Sequence, residues 1–253
     1  MVRVYPPRRE ITPLGSDCDV ARKRLVGPSV RQLPRLDNEL AERTGDALDD
    51  HDLLEEVHWE GGGAPTAVSG VEIVRSRLTR IRLTGLELAD LTLLDVVLVD
   101  CELSGTVLTG ARWERAVFTR CSMSGVVATE LKGSDLRFED CKMDQAWLRG
   151  AGLDRCELVD CDLTGADLYD ARITRSSFRR CDLTGVEVTG SDFEAVSLHG
   201  SVVDRLTGAE SLHGVTIGSD QLVPLALPIL AARRIRVDDD PPDLVDEVAR
   251  PST

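Results

Sequence analysis

The sequence predicts an all-β solenoid whose coils have four short sides. From Ile73 to Val203, every fifth residue is large and apolar at 25 of 27 positions, and the residue two places earlier is mostly small. A helix would repeat at about 3.6 residues and a strand at two, so neither explains this period. Cysteines recur every 20 residues from Cys101 to Cys181, as do several glycines. Four repeats therefore complete one coil, and the run predicts about 6.7 coils.

One segment departs from this pattern. Ala128 and Gly133 occupy positions where a large residue is expected, and Leu131 and Leu136 occupy positions where a small one is expected. The five-residue register is unbroken on both sides. We therefore expect no bulge here, with the two leucines filling the space that Gly133 leaves in a close-packed interior.

The repeats "ADLYD", "CDLTG" and "SDFEA" resemble the A-D/N-L-x-x unit of the pentapeptide-repeat family. The resemblance implies a right-handed quadrilateral parallel β-helix with coils stacked about 4.8 Å apart. Some members of that family, the quinolone-resistance type, resemble DNA and bind DNA gyrase. The family motif specifies structure only, so it assigns no partner-contacting residue to this chain.

The segments on either side of the repeats are interpreted separately. Residues 1–65 are predicted to be an N-terminal arm, irregular or partly helical, with a short helix near 36–43 and a linker at "GGGAP". After the β-helix of residues 66–205, residues 206–237 are predicted to form a C-terminal cap. Its helix has Ser219 as N-cap, and Pro224 and Pro228 should kink or shorten it. Residues 238–253 form an acidic tail predicted to be disordered.

Composition excludes several classes of partner. The formal net charge of −14 argues against direct binding of nucleic acid or of an anionic membrane, both of which require clustered Lys and Arg. The first residues have no apolar run of the signal-peptide kind, and no stretch reaches the length of a membrane span. The seven cysteines show no CxxC pairing. A reduced, cytoplasmic setting is the expectation.

The cysteine column is the feature most suggestive of chemistry. Its members occupy the inward small position of the repeat, where a free thiol packs as a small hydrophobe, and so they are predicted to be neither metal ligands nor nucleophiles. The four histidines are scattered, and no catalytic motif is present. The sequence therefore predicts a non-catalytic protein without cofactor or metal.

The repeat register separates the outward charges into two halves of the prism. The half formed by residues 81–90 and by the corresponding segments up to 181–190 carries ten acids and three bases, a net of −7. The candidate acidic binding face consists of Glu87, Asp90, Glu102, Glu130, Asp162, Asp167, Asp170, Asp182 and Glu187. The opposite half comes to about +1, and Asp95, Arg115, Asp135 and Arg155 are expected to neutralise one another between coils. The alternative for the acidic half is a solvated surface that maintains solubility.

The predicted C-terminal helix is apolar on nearly every side. Its candidate cap or dimer residues are Leu222, Val223, Leu225, Leu227, Ile229 and Leu230. One interpretation is a helix that covers the last coil and meets a second copy of the chain; the other is a helix that only caps its own chain.

Two functions of different class remain open. The first is a DNA-mimicking modulator or protector of DNA gyrase or another type II topoisomerase, serving antibiotic resistance or self-immunity, whose partner has a basic groove. The second is a scaffold or adaptor that binds another protein and has no connection with topoisomerases.

Overall fold

In the computed structural model the chain is a parallel β-solenoid of about nine turns that ends in one short helix. The structure describes residues 33, 34, 36, 40–44, 47–64 and 67–235. Each coil has four sides, which we call A to D in the order that the chain follows. Strands on sides A and B and short bridges on sides C and D pair with the next coil. The predicted four-sided parallel β-helix is confirmed.

Sides A and B carry most of the regular strands, numbered in chain order. On side A lie β2 (Leu53–Glu55), β5 (Glu72–Val74), the first halves of β8 (Thr92–Val99) and β9 (Arg112–Thr119), β10 (Lys132–Ser134), β12 (Gly152–Asp154), β14 (Arg172–Thr174) and β16 (Asp192–Glu194). On side B lie β1 (Ala41–Thr44), β3 (Val57–Glu60), β6 (Arg77–Thr79), the second halves of β8 and β9, β11 (Arg137–Glu139), β13 (Glu157–Val159), β15 (Ser177–Arg179), β17 (Val196–Ser197) and β18 (Val215–Thr216).

Sides C and D are joined mainly by single bridges. Side C runs from Ala47 through Arg82 and Glu102 to Val202, and side D begins with β4 (Ala67–Ser69) and β7 (Glu87–Ala89) and continues to Thr207. At the corners between sides, every fifth residue from Arg75 to Arg205 has a positive φ. Glycine adopts this conformation without strain, and it supplies five of the six corners between sides C and D from Gly85 to Gly185.

The core is a single column of stacked side chains inside the coils. The large residues of the repeat are buried, and the cysteines, alanines and serines at the small position are buried beside them. Trp113, Phe118 and Phe138 form an aromatic stack, with ring centroids 5.0 Å apart for the first pair and 4.7 Å for the second. This burial of apolar area is the main stabilising contribution to the fold.

The irregular segment keeps its register. Gly133 pairs with Trp113 on one side and with Leu153 on the other, so the prediction of no bulge is confirmed. Leu131 and Leu136 are both buried within this coil. The filling is incomplete, because an apolar cavity of about 20 Å³ lies between Trp113, Met123, Leu131 and Leu153. A cavity without polar groups holds no stable water.

The solenoid begins earlier than the sequence predicted. Residues 41–44 and 47–64, assigned to an irregular arm, belong to the solenoid and contain β1 to β3, and Ala41–Thr44 is a strand where a helix was expected. The physical reason is the coil length. Ala41 pairs with Val57 at an offset of 16 residues, and Leu53 pairs with Glu72 at an offset of 19. These first coils are shorter than 20 residues, so the 20-residue repeat is not visible there. The remaining predictions for residues 1–32 lie outside the described residues.

The C-terminal cap has the predicted helix with a later start. Ser219–Gln221 is a 3-10 turn rather than the beginning of the α-helix, and α1 spans Leu222–Ala232 with Pro228 inside it. Gln221 Nε2 donates to the carbonyls of Leu198 and Ser201 at 2.7 and 2.6 Å. These bonds satisfy carbonyls at the open end of the last coil, which would otherwise present an unpaired edge. The tail predicted for residues 238–253 lies outside the described residues.

Candidate protein-binding surface

The nine predicted acidic residues all lie on sides C and D or on the corners that border them. Glu87, Asp90, Glu102, Glu130 and Asp170 are exposed, and the other four are half-buried. Asp162 pairs with Asp182 on side C, and Asp167 pairs with Glu187 on side D, so these four stack on adjacent coils. The structure thus brings together one acidic group near the C-terminal end, while Glu87, Asp90 and Glu102 form a second group nearer the start.

The half-buried acids also have a structural role that the sequence did not reveal. Each accepts a hydrogen bond from the backbone N–H two residues later. The four bonds run from Thr164 to Asp162 at 2.9 Å, from Tyr169 to Asp167 at 3.0 Å, from Thr184 to Asp182 at 2.9 Å and from Thr189 to Glu187 at 2.7 Å. A short side chain that bonds its own backbone fixes the turn that follows. The acid of the "CDLTG" repeat therefore stabilises the coil and still presents its charge outward.

The two acidic groups are separated on side D by an apolar and aromatic strip. Val107, Val127 and Trp147 are direct partners on three adjacent coils, and Trp147 is 52% exposed. Tyr169, on the next coil, is 42% exposed. Large exposed aromatic rings are uncommon on a surface that contacts only water, and they are frequent at protein interfaces.

Arg149 joins the two exposed rings. Its guanidinium lies 5.8 Å from the centroid of Trp147 and 5.7 Å from that of Tyr169, which is cation–π distance. Its Nε donates to Asp167 Oδ2 at 2.6 Å. We call Val127, Trp147, Arg149 and Tyr169 the aromatic patch. The aromatic patch was not predicted from the sequence, although the five-residue register places Trp147 and Tyr169 at outward positions.

The opposite half of the prism shows the expected neutralisation. Arg115 forms a two-bond pair with Asp95 at 2.7 and 2.9 Å, and Arg155 forms one with Asp135 at 2.8 and 2.7 Å. Similar pairs join Arg120 to Asp100 and Arg180 to Asp160 on the next corner. Since most of the described bases on sides A and B are engaged in ion pairs, the net charge of the acidic half is not matched by a free basic half.

The cysteine column lies inside the solenoid, as predicted. Cys101, Cys121, Cys141, Cys156, Cys161 and Cys181 are free thiols and buried. Burial raises the pKa of the Cys156 thiol to about 12. Hydrogen bonds between stacked thiols lower the pKa of Cys101 and lower that of Cys161 to about 4, whereas the bonds with Cys101 and Cys141, together with burial, raise the pKa of Cys121 far above its usual range. A thiol that stays protonated is a poor nucleophile and a poor metal ligand.

Two further observations concern chemistry and membranes. Among the described residues, no three His, Cys, Asp or Glu side chains are grouped so that they could hold a metal ion. Within the same part of the chain, no helix has the length and apolar character that crossing a bilayer requires.

The six candidate cap or dimer residues of α1 differ in how exposed they are. Leu225 is buried against the last coil, and Leu230 is half-buried. Val223 and Leu227 are 72% and 61% exposed, and Leu222 and Ile229 are exposed as well. Val223 and Leu227 are four residues apart and so lie on one face of the helix.

The family models agree with the repeat pattern. The model described as pentapeptide repeats (8 copies) matches residues 97–137, and the model described as pentapeptide repeat region matches residues 134–207. Residues 97–207 are a pentapeptide-repeat region. Comparison with curated proteins finds no significant match.

Solved pentapeptide-repeat structures are similar at low sequence identity. HetL, from the cyanobacterium Nostoc sp. strain PCC 7120 and involved in heterocyst differentiation regulation, is 18% identical with a TM-score of 0.35, covering 68% of this chain and 89% of its own. Full-length QnrB1, a plasmid-mediated fluoroquinolone resistance protein, is 13% identical with a TM-score of 0.31, covering 75% and 99%. Rfr23, from the cyanobacterium Cyanothece 51142, is 13% identical with a TM-score of 0.15, covering 71% and 88%.

Proposed function

We propose that this pentapeptide-repeat solenoid is a non-catalytic protein that binds a basic groove of another protein through its acidic half. The observation that supports the proposal is the segregation of charge among the described residues: the acids of sides C and D have few basic neighbours, whereas most of those of sides A and B form ion pairs between coils. A field of one sign on one face attracts a partner of the opposite sign and steers its approach.

The charge density of the acidic half is close to that of a single DNA strand. Six coils stacked at about 4.8 Å span about 29 Å. A net charge of −7 over that length is about one charge per 4 Å, and one strand of B-DNA carries one per about 3.4 Å. A groove that accepts a DNA backbone would therefore meet a comparable row of negative charge.

The first specific candidate partner is DNA gyrase or another type II topoisomerase, with the solenoid acting as a DNA mimic in antibiotic resistance or self-immunity. The resemblance to the pentapeptide-repeat family motivates this choice. QnrB1 is itself described as a fluoroquinolone resistance protein. Whether this chain itself acts on gyrase is tested directly by an assay with the purified protein.

The assay is gyrase supercoiling with purified protein, with and without a quinolone. We expect inhibition of supercoiling, or protection from the drug, to be lost when Asp162, Asp167, Asp182 and Glu187 are changed to Asn or Gln. These amides keep the oxygen that accepts the backbone hydrogen bond and remove only the charge. The matched control is the pair Asp192→Asn and Glu194→Gln on side A, which should keep the effect. Absence of any effect of the wild-type protein would refute the topoisomerase candidate.

The second candidate is a scaffold or adaptor unrelated to topoisomerases. It is favoured by the aromatic patch, because a DNA mimic needs charge and has no use for an exposed tryptophan. A deletion of residues 1–65 would not test this candidate, since it would remove residues 41–44 and 47–64, which are part of the solenoid. We also propose that α1 joins two copies of the chain through Val223 and Leu227, as both candidate functions allow.

A further inference from the structure

The aromatic patch indicates the kind of partner more specifically than the acidic half around it does. All three tryptophans of the chain are described, and Trp59 and Trp113 are 0% and 3% exposed, whereas Trp147 is 52% exposed. Aromatic residues are only 4% of the sequence, and the other described rings lie mainly in the core. Exposing two of them on neighbouring coils loses the stabilisation that burial would give, so a selected surface role is the physical explanation.

The charge around the patch determines what it can bind. Arg149 is neutralised by Asp167, so the rings are not surrounded by free positive charge. Glu130 and Asp170 lie on the corner next to side D and are exposed, and among the described residues no Lys or Arg lies within salt-bridge distance of either. A phosphate backbone would be repelled by these two carboxylates, which argues against a nucleic-acid strand stacking on the rings.

We propose that the aromatic patch is the anchoring site for a protein segment that presents an arginine or lysine beside an apolar residue. The apolar side chain would cover Val127 and the indole of Trp147. The cation would lie over the open face of a ring with Glu130 or Asp170 as its counter-charge, an arrangement that combines cation–π attraction with a charge-assisted hydrogen bond. This inference rests on the proposed protein-binding role, though not on gyrase being the partner.

Arg149 already places a cation against these rings. Its guanidinium lies 5.8 Å from the ring centroid of Trp147 and 5.7 Å from that of Tyr169, so both rings can accept a cation. An incoming arginine would use the remaining ring faces or take the place of Arg149. The side chain of Arg149 is 53% exposed, so an incoming cation can reach it, and displacing it from the rings would also disturb its 2.6 Å bond to Asp167.

Trp147 supplies a direct readout of binding, because it is the exposed one of the three tryptophans. The full-length protein is titrated with a synthetic peptide of arginine and leucine, and the fluorescence of Trp147 and the heat of binding are recorded. We expect saturable binding with a shift of the emission to shorter wavelength. The same-length peptide of arginine and serine, a peptide of glutamate and leucine and a single-stranded oligonucleotide are the comparison probes, and each should bind at least about tenfold more weakly.

Variants separate the patch from the general charge. Trp147→Ala and Tyr169→Ala should each weaken the heat-measured affinity for the arginine–leucine peptide by about tenfold or more, as truncation of an aromatic anchor does. Trp147→Phe should retain most of the affinity, and Val202→Ala, an exposed apolar change on side C, should leave it unchanged. Equal affinity for the arginine–serine peptide, tighter binding of the oligonucleotide, or no loss in Trp147→Ala would overturn the proposal.

Failure of this proposal is distinguishable from failure of the gyrase candidate. If the peptide binds through Trp147 and the supercoiling assay shows no effect, the patch is an anchor for another basic protein. If supercoiling responds to the acidic residues while Trp147→Ala changes neither the assay nor peptide binding, the acidic half acts by charge alone and the anchor is wrong.

Discussion

Gly133 and Leu136 exchange roles within one coil of the solenoid. A methyl group placed on Gly133 would lie 2.6 Å from Leu136 Cδ1 and 3.0 Å from Leu153 Cδ2. Leu136, at a position where the repeat has a small residue, therefore occupies the space that a large residue at 133 fills in other coils. The two positions are coupled through a shared volume, although each is irregular when considered alone.

The first prediction is a compensating pair of substitutions at this site. Leu136→Ala alone should lower the free energy of unfolding by about 2–5 kcal/mol because it leaves a cavity, and Gly133→Leu alone should lower it by about 1–3 kcal/mol because it overpacks the coil. The double variant restores the regular pattern, so its loss should be smaller than the sum. Urea midpoints measure the three values.

The control for this pair is Leu136→Ala combined with Leu183→Ala, two coils away. These losses should add within about 0.5 kcal/mol, as they do for sites without a shared neighbour. Additivity of Gly133→Leu and Leu136→Ala would contradict the exchange of roles.

The second prediction ranks the Arg–Asp pairs by burial. Asp135 is 7% exposed, so Arg155→Ala removes two charge-assisted hydrogen bonds from a buried carboxylate and should lower the free energy of unfolding by about 2–3 kcal/mol. The Arg180–Asp160 pair has the same geometry with both side chains largely exposed, and Arg180→Ala should therefore lose clearly less stability than Arg155→Ala. Equal losses in chemical unfolding would refute the ranking.

The third prediction concerns acid stability. A hydrogen bond from Arg120 lowers the pKa of Asp100 below its ordinary value of 3.8, and one from Arg180 does the same for Asp160. For Asp154, burial raises the pKa, and the bonds from Arg175 and Thr174 outweigh it, so the net shift is also downward.

A folded-state pKa below the unfolded value means that stability is fully present well above pH 3.8. It is lost as the pH falls below 3.8 and through the lower folded-state values. We expect the thermal midpoint to drop on acidification in this range and the drop to be smaller in Arg120→Met and Arg180→Met, which remove the partners. The control is Arg112→Met on side A, an exposed arginine that forms no ion pair with the described residues. An unchanged pH profile in the pair-breaking variants would rule out this origin.

The sequence predicts the central coils well because one physical constraint governs them. Each inward position of a coil must match the coil before it, so a period of five with recurrence at 20 determines both the four sides and the direction of every side chain. The nine acidic residues fall on the predicted half for this reason. The first coils are not recognisable in the sequence because their strands pair at offsets of 16 and 19 residues. These offsets still allow parallel pairing, but they interrupt the 20-residue repeat.

The binding surface was predictable only in part. The register gives the direction of Trp147 and Tyr169, yet their contact through Arg149 joins residues that are two and 20 positions from it. Such contacts come from the three-dimensional stacking of coils rather than from the composition of any one repeat.

The last prediction tests the second copy at α1. Val223 and Leu227 lie four residues apart on one helix face and are exposed by 72% and 61%, while Leu225 on the other face is buried against the last coil. A self-complementary apolar face at the end of a rod suits a two-fold contact, in which the same surface of each copy faces the other. We expect light scattering to give twice the chain mass of 27.6 kDa for the wild type and the single-chain mass for Val223→Glu with Leu227→Glu. Because both side chains are exposed, these changes should alter the free energy of unfolding of the monomer by no more than about 0.5 kcal/mol, as surface substitutions do. The matched control, Val202→Glu on side C, adds charge to an exposed apolar position away from α1 and should keep the double mass; a single-chain mass for the wild type would exclude the contact.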